Sequence, residues 1–92
     1  MTAEVIARRL VIHGRVQGVF FRDTLRRVAE EAEVAGWAEN RDDGTVEVVL
    51  EGGRQGVERV VAFCEDGPER ALVERVEVRE VEAQGLTGFA IR

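Results

Sequence analysis

The stretch Ile6–Ala35, IARRLVIHGRVQGVFFRDTLRRVAEEAEVA, changes its hydrophobic period halfway along. In its first third, Ile6, Leu10 and Ile12 fall on one parity, and Arg9 and His13 fall on the other. That alternation predicts a strand over Ile6–Gly14 with one buried face. From Phe21 the spacing becomes helical: Phe21, Leu25, Val28, Ala32 and Ala35 recur at steps of three and four. An amphipathic helix is therefore expected over Asp23–Ala35. Arg22, Asp23, Arg26, Arg27, Glu30, Glu31 and Glu33 supply its polar positions, and Gly36 its terminator.

Working outward, Trp37–Asn40 reads as a short strand and Arg41-Asp42-Asp43-Gly44 as a turn, since Asp-Gly is a hairpin signal. Thr45–Glu51, rich in β-branched residues, is the returning strand, broken by Gly52-Gly53. Val57, Val60, Val61 and Cys64 mark a second helix that ends near Gly67-Pro68. Leu72–Glu82 is a long strand. Its Val76 and Val78 lie on one parity and its Val73 and Val81 on the other, which requires a bulge or burial on both faces. Gly85 opens a turn, and Phe89 and Ile91 mark a short last strand. The order β-α-β-β-α-β plus a terminal strand predicts a single α+β domain over residues 1–92. Both helices cover one face of a mostly antiparallel sheet, giving a two-layer ferredoxin-like sandwich. Such a fold hosts many functions, so function must come from the site.

Composition narrows the classes. The 92 residues are 45% apolar and 34% charged, which is ordinary for a globular protein. No apolar run approaches the length of a membrane span, and Met1–Arg9 lacks the apolar core of a signal peptide. A single cysteine, Cys64, excludes an internal disulfide and a cysteine-based zinc site, and a reducing, cytoplasmic setting is expected. The net charge of −5 argues against nucleic acid or an anionic membrane as partner. An anionic substrate must then be captured by a local positive site.

Gly14-Arg15-Val16-Gln17-Gly18-Val19-Phe20-Phe21-Arg22 supplies such a site between the first strand and the first helix. Two glycines let a short loop turn tightly so that its N–H groups converge. A nest of this kind beside a helix N-terminus binds phosphate. Arg22 adds a guanidinium fork that matches two phosphate oxygens. The segment lacks the Gly-Lys-Ser/Thr ending of nucleotide phosphate loops. Taken alone, it reads more readily as a tight connection followed by a surface arginine.

The segment resembles the first signature of the acylphosphatase family: aliphatic, any, Gly, any, Val, Gln, Gly, Val, any, aromatic or Met, Arg. Ile12 through Arg22 match it at every position. Gly36-Trp37-Ala38-Glu39-Asn40, Gly44-Thr45-Val46 and Gly52 resemble the second signature. One position departs from it, since acidic Glu39 stands where a basic residue, Gln or a small residue is usual. Alternation from Asn40 points Glu39 away from the site. Gly67-Pro68, Val73–Val81 and Gly88-Phe89-Ala90-Ile91 extend the likeness over nearly the whole chain. Glu69 stands where the family often has a second proline.

The resemblance implies hydrolysis of a small-molecule acyl phosphate to a carboxylate and inorganic phosphate, with no cofactor and no metal. Carried over residue by residue, Arg15, Val16, Gln17, Gly18, Val19, Phe20 and Phe21 form the phosphate cradle. Arg22 binds the phosphoryl group and Asn40 positions the attacking water. A monomer is expected. The alternative is a non-catalytic phosphate-binding module on the same fold, but such a module has no use for a water-positioning residue.

Other residues carry plainer readings. His13 precedes the loop and is expected to be structural or at the surface. Cys64 lies on an apolar stripe and reads as a buried thiol. Asp42 and Asp43 read as turn carboxylates, Trp37 as packing, and Arg26-Arg27 as a solvated helix face. Phe20 and Phe21 are candidates for the substrate mouth, with Phe21 expected in the core. No grouping of His, Cys, Asp or Glu has metal-ligand spacing.

Overall fold

The computed structural model describes residues 4–92. Its elements are β1 (Val5–Arg15), α1 (Phe21–Glu31), β2 (Ala35–Asn40), β3 (Val46–Gly53), α2 (Arg54–Asp66), β4 (Leu72–Val81) and β5 (Phe89–Ile91). The strands form one sheet in the order β4-β1-β3-β2-β5. Every neighbouring pair is antiparallel except β2–β5, which is parallel.

Register explains the core. Leu10 lies between Val48 and Val78, and Ile12 between Val46 and Val76. Leu10, Ile12, Val46 and Val48 are fully buried, together with Phe21, Leu25 and Ala29 from α1 and Val57, Val60 and Cys64 from α2. This is the face covered by both helices. The odd positions of β1 face the other way, where Arg9 pairs with Glu47 and His13 with Glu77.

A β-bulge accounts for Val73 in the fourth strand, whereas Val81, opposite Ala7, stays on the other face. His13 lies opposite Arg75, but Gly14 lies opposite Val73, so Glu74 is the extra residue. Val73 and Val76 therefore both pack against the core despite their spacing.

The first helix ends earlier than its periodicity suggests. Val34 N–H donates to the Ala29 carbonyl at 2.8 Å and Glu33 N–H to the Glu30 carbonyl at 3.1 Å. This pair is a Schellman motif, with Glu33 in the left-handed position at φ 57°. Gly36 is thus not the terminator. It lies inside β2, where a Cβ would sit 1.8 Å from the Val49 carbonyl oxygen. The second strand accordingly begins at Ala35 rather than Trp37. Gly52 and Gly53 also remain within the ladder, opposite Ile6 and Val5.

The connection from β4 to β5 is tied down by a buried carboxylate. Glu51, 5% exposed, accepts the Gln84 N–H at 2.7 Å on Oε1 and the Leu86 N–H at 2.8 Å on Oε2. No helix among the described residues is long and apolar enough to cross a membrane.

Candidate active site

Strand directions bring the candidate residues to one end of the sheet. β1 and β2 both run antiparallel to β3, which lies between them, and β5 runs parallel to β2. All three therefore finish at the same end. The loop after β1, Asn40 at the end of β2 and Arg92 after β5 meet there. Val46 is opposite both Ile12 and Asn40, which puts Asn40, the last residue of β2, in one row across the sheet with Ile12, three residues before the end of β1.

The loop is held in an unusual backbone conformation. Gly18 has φ 72°, a value available to glycine without strain. Phe20, the N-cap of α1, has φ 60° and ψ 27° and makes no side-chain cap. The first helical bond runs from Thr24 N–H to the Phe20 carbonyl at 3.1 Å, and Thr24 Oγ1 donates to the same oxygen at 2.9 Å. The N–H groups of Phe21, Arg22 and Asp23 precede that bond and have no intrahelical acceptor. Those of Gln17, Gly18, Val19 and Phe20 donate to no backbone carbonyl among the described residues. A row of N–H donors is thus left at the positive end of a helix.

Of these residues Gly18, Phe20, Phe21, Arg22 and Asp23, together with Val16 and Asn40, line a cavity of about 260 Å³. Arg22 and Asn40, far apart in sequence, share it. Arg22 Nη1 donates to the Arg92 backbone oxygen at 2.7 Å. It pairs with no Asp or Glu side chain among the described residues, so its charge remains available to an anion. Arg92 is itself held twice, by its N–H to the Ala38 carbonyl at 2.8 Å and by its guanidinium 4.2 Å above the Trp37 ring. Asn40 Oδ1 is buried and accepts no hydrogen bond among the described residues. Leaving such an atom unpaired costs about 1–3 kcal/mol, which a donor inside the cavity would recover.

The remaining cradle residues are divided by where their side chains go. Val16 is buried at 1% exposure and Val19 packs against the core. Phe21 is a core residue whose edge reaches the cavity, while Phe20 is 67% exposed at its rim. Arg15 is exposed and lies outside the lining. The Gln17 side chain turns away and donates from Nε2 to the carbonyls of Arg41 at 2.7 Å and Thr45 at 2.9 Å. It straps the loop to the β2–β3 hairpin, next to Asn40. Glu39 lies opposite Glu47, on the sheet face away from the cavity, as alternation requires.

Asp43 accepts both the N–H and the hydroxyl of Thr45, which holds its carboxyl below the ordinary value. Burial pushes the Cys64 thiol up, out of the range where a thiolate forms. His13 Nε2 lies 2.6 Å from Glu77 Oε2 on the far face of the sheet, remote from the cavity. Among the described residues, no three of His, Cys, Asp and Glu converge as metal ligands. Sequence reasoning missed two members of the site. Asp23 was visible only as a first-turn acid of α1. Arg92 gave no local signal, because its place depends on the parallel pairing of β5 with β2.

Comparison with known proteins gives the family. The acylphosphatase family model matches residues 8–91. The acylphosphatase of Rubrobacter xylanophilus is 49% identical over 85 residues, covering 91% of this chain and 77% of that protein. The acylphosphatase of Haloarcula marismortui is 48% identical over 81 residues, covering 88% and 89%. The crystal structure of acylphosphatase from Bacillus subtilis superimposes with a TM-score of 0.91 at 34% identity, covering 95% of this chain and 98% of that one. With the family model spanning nearly the whole sequence and the fold reproduced, the chain belongs to the acylphosphatase family.

Proposed function

We propose that this protein hydrolyses acyl phosphates to a carboxylate and inorganic phosphate. The observation that carries this reading is the shared cavity. It joins a guanidinium that pairs with no Asp or Glu side chain among the described residues, a row of N–H donors without a backbone acceptor and a buried amide oxygen without a partner. An anion-binding module has use for the first two. The third fits a water molecule beside the bound phosphate.

Arg22 and the backbone N–H groups of Arg15–Phe21 hold the phosphoryl oxygens. They are fixed before substrate arrives, so they stabilise the charge that builds on those oxygens without reorganising. Asn40 Oδ1 accepts a hydrogen bond from the attacking water and sets its line of approach. An amide is no base near neutral pH, so the water's proton passes to a phosphate oxygen. The P–O bond to the acyl group breaks, and a carboxylate leaves without needing an acid. No metal takes part, one copy of the chain suffices, and a cytoplasmic setting suits the single thiol.

The test is hydrolysis of benzoyl phosphate with chelator present, for wild type, Arg22→Ala and Asn40→Ala. Wild type is expected to turn over. Each variant, still folded by circular dichroism, should lose on the order of a hundred- to thousandfold in rate. If wild type does not exceed the spontaneous rate while inorganic phosphate still binds at Arg22, the protein is a phosphate-binding module instead.

A further inference from the structure

The phosphate end of the cavity is polar, but its rim carries a large apolar group. Phe20 is 67% exposed, more than any other large hydrophobic residue among those described, and lines the same cavity as Arg22 and Asn40. Its ring does not belong to the hydrophobic core, unlike the flanking Val19 and Phe21. The backbone conformation there, φ 60°, suits glycine or asparagine, and an aromatic residue is poorly matched to it. The fold therefore gains nothing from an aromatic side chain at this position. Strain of this kind at a cavity points to function. The ring's base is nevertheless fixed, because Thr24 binds the Phe20 carbonyl through both its N–H and its hydroxyl.

We infer that Phe20 reads the organic end of the substrate and makes this protein selective for acyl phosphates with an uncharged aromatic or bulky apolar acyl group. The inference rests on the hydrolase reading above. With the phosphoryl group on Arg22 and the loop, the acyl group must project from the cavity past its rim. Phe20 offers it an exposed face for stacked or edge-on contact. The other charged residue in the lining is Asp23, whose carboxylate repels an acyl group bearing its own negative charge. Because the ring meets the organic group rather than the reacting phosphorus, its contribution falls on KM more than on kcat.

The experiment compares benzoyl phosphate with acetyl phosphate for wild type, Phe20→Ala and Phe20→Tyr, with inorganic phosphate as competitive inhibitor. Wild type should prefer benzoyl phosphate. Phe20→Ala should raise KM for benzoyl phosphate by about three- to tenfold. Any loss on acetyl phosphate should be smaller, so that the benzoyl-to-acetyl ratio of kcat/KM falls. Phe20→Tyr should keep the preference. An unchanged benzoyl-to-acetyl ratio in Phe20→Ala overturns the assignment. So does an equal loss on both substrates with weaker phosphate inhibition, which would make Phe20 a loop-shaping residue. Absence of wild-type turnover on either substrate overturns the hydrolase reading itself, and this inference with it.

Discussion

The guanidinium of Arg22 is oriented by the backbone of Arg92, whose oxygen accepts its Nη1–H at 2.7 Å, and the side chain of Arg92 is stacked in turn on Trp37. The anion-binding arginine is thus steadied from the far end of the chain. A cation–π contact at such a site contributes about 0.5–1 kcal/mol. Trp37→Leu and Arg92→Ala should each lower kcat/KM by about two- to fivefold, well short of the loss in Arg22→Ala. Steady-state kinetics with benzoyl phosphate checks this. Activity equal to wild type in both would show that the Ala38 bond alone is enough to place Arg92.

Gln17 joins the two halves of the site through its bonds to the Arg41 and Thr45 carbonyls. Gln17→Ala removes both and should lower unfolding stability by about 1–3 kcal/mol. Activity should fall as well, because the loop and Asn40 lose their common anchor. Gln17→Glu sets a carboxylate against two carbonyl oxygens. It should be worse than alanine at neutral pH and recover on acidification, when a protonated acid can again donate. Urea unfolding and kcat/KM, each followed against pH, check both variants.

Asp43 gives a pH dependence with a definite sign. Its hydrogen bonds from Thr45 hold its folded pKa below the ordinary value of 3.8. The native state therefore binds fewer protons than the unfolded chain as the pH approaches that range. The stabilisation is complete above the ordinary value and is lost as pH falls through the folded one. Wild type should exceed Asp43→Ala in stability near neutral pH, and the gap should narrow below pH 3.8. Urea midpoints measured from neutral pH down to pH 3 check this. A constant gap would mean that the side chain acts through turn geometry and not through its charge.

Much of this was legible in the sequence because the relevant patterns are local. The alternation of Ile6, Leu10 and Ile12 and the helical spacing from Phe21 place β1 and α1, and the Gly14–Arg22 segment between them marks the cradle. Asn40 and Glu39 follow from parity along β2. Other features depend on partners distant in sequence. Neither Arg92 beside Arg22 nor Glu51 beneath Gln84 and Leu86 leaves a periodic trace. Gln17 reads as a cradle residue, yet its amide serves the hairpin, since side-chain direction in a loop is not set by spacing. The end of α1 was obscured for a different reason. Ala32 and Ala35 continue the helical spacing, and the residue that stops the helix is a glutamate.

That glutamate can be improved upon. Glu33 occupies the left-handed position of the Schellman motif at φ 57°, where a residue with a Cβ is disfavoured by about 1–2 kcal/mol. Glycine relieves that strain but gives the unfolded chain more freedom, which offsets part of the gain. Glu33→Gly should therefore stabilise the protein by about 0.5–1 kcal/mol, with an unchanged m-value and unchanged turnover. Glu33 is exposed and lies outside the cavity lining, so activity has no reason to respond. Because the substitution also removes one negative charge from a chain of net charge −5, Glu33→Gln is the control. It removes the charge and keeps the strain. A higher urea midpoint in Glu33→Gly alone assigns the gain to the backbone, whereas equal shifts in both variants assign it to charge.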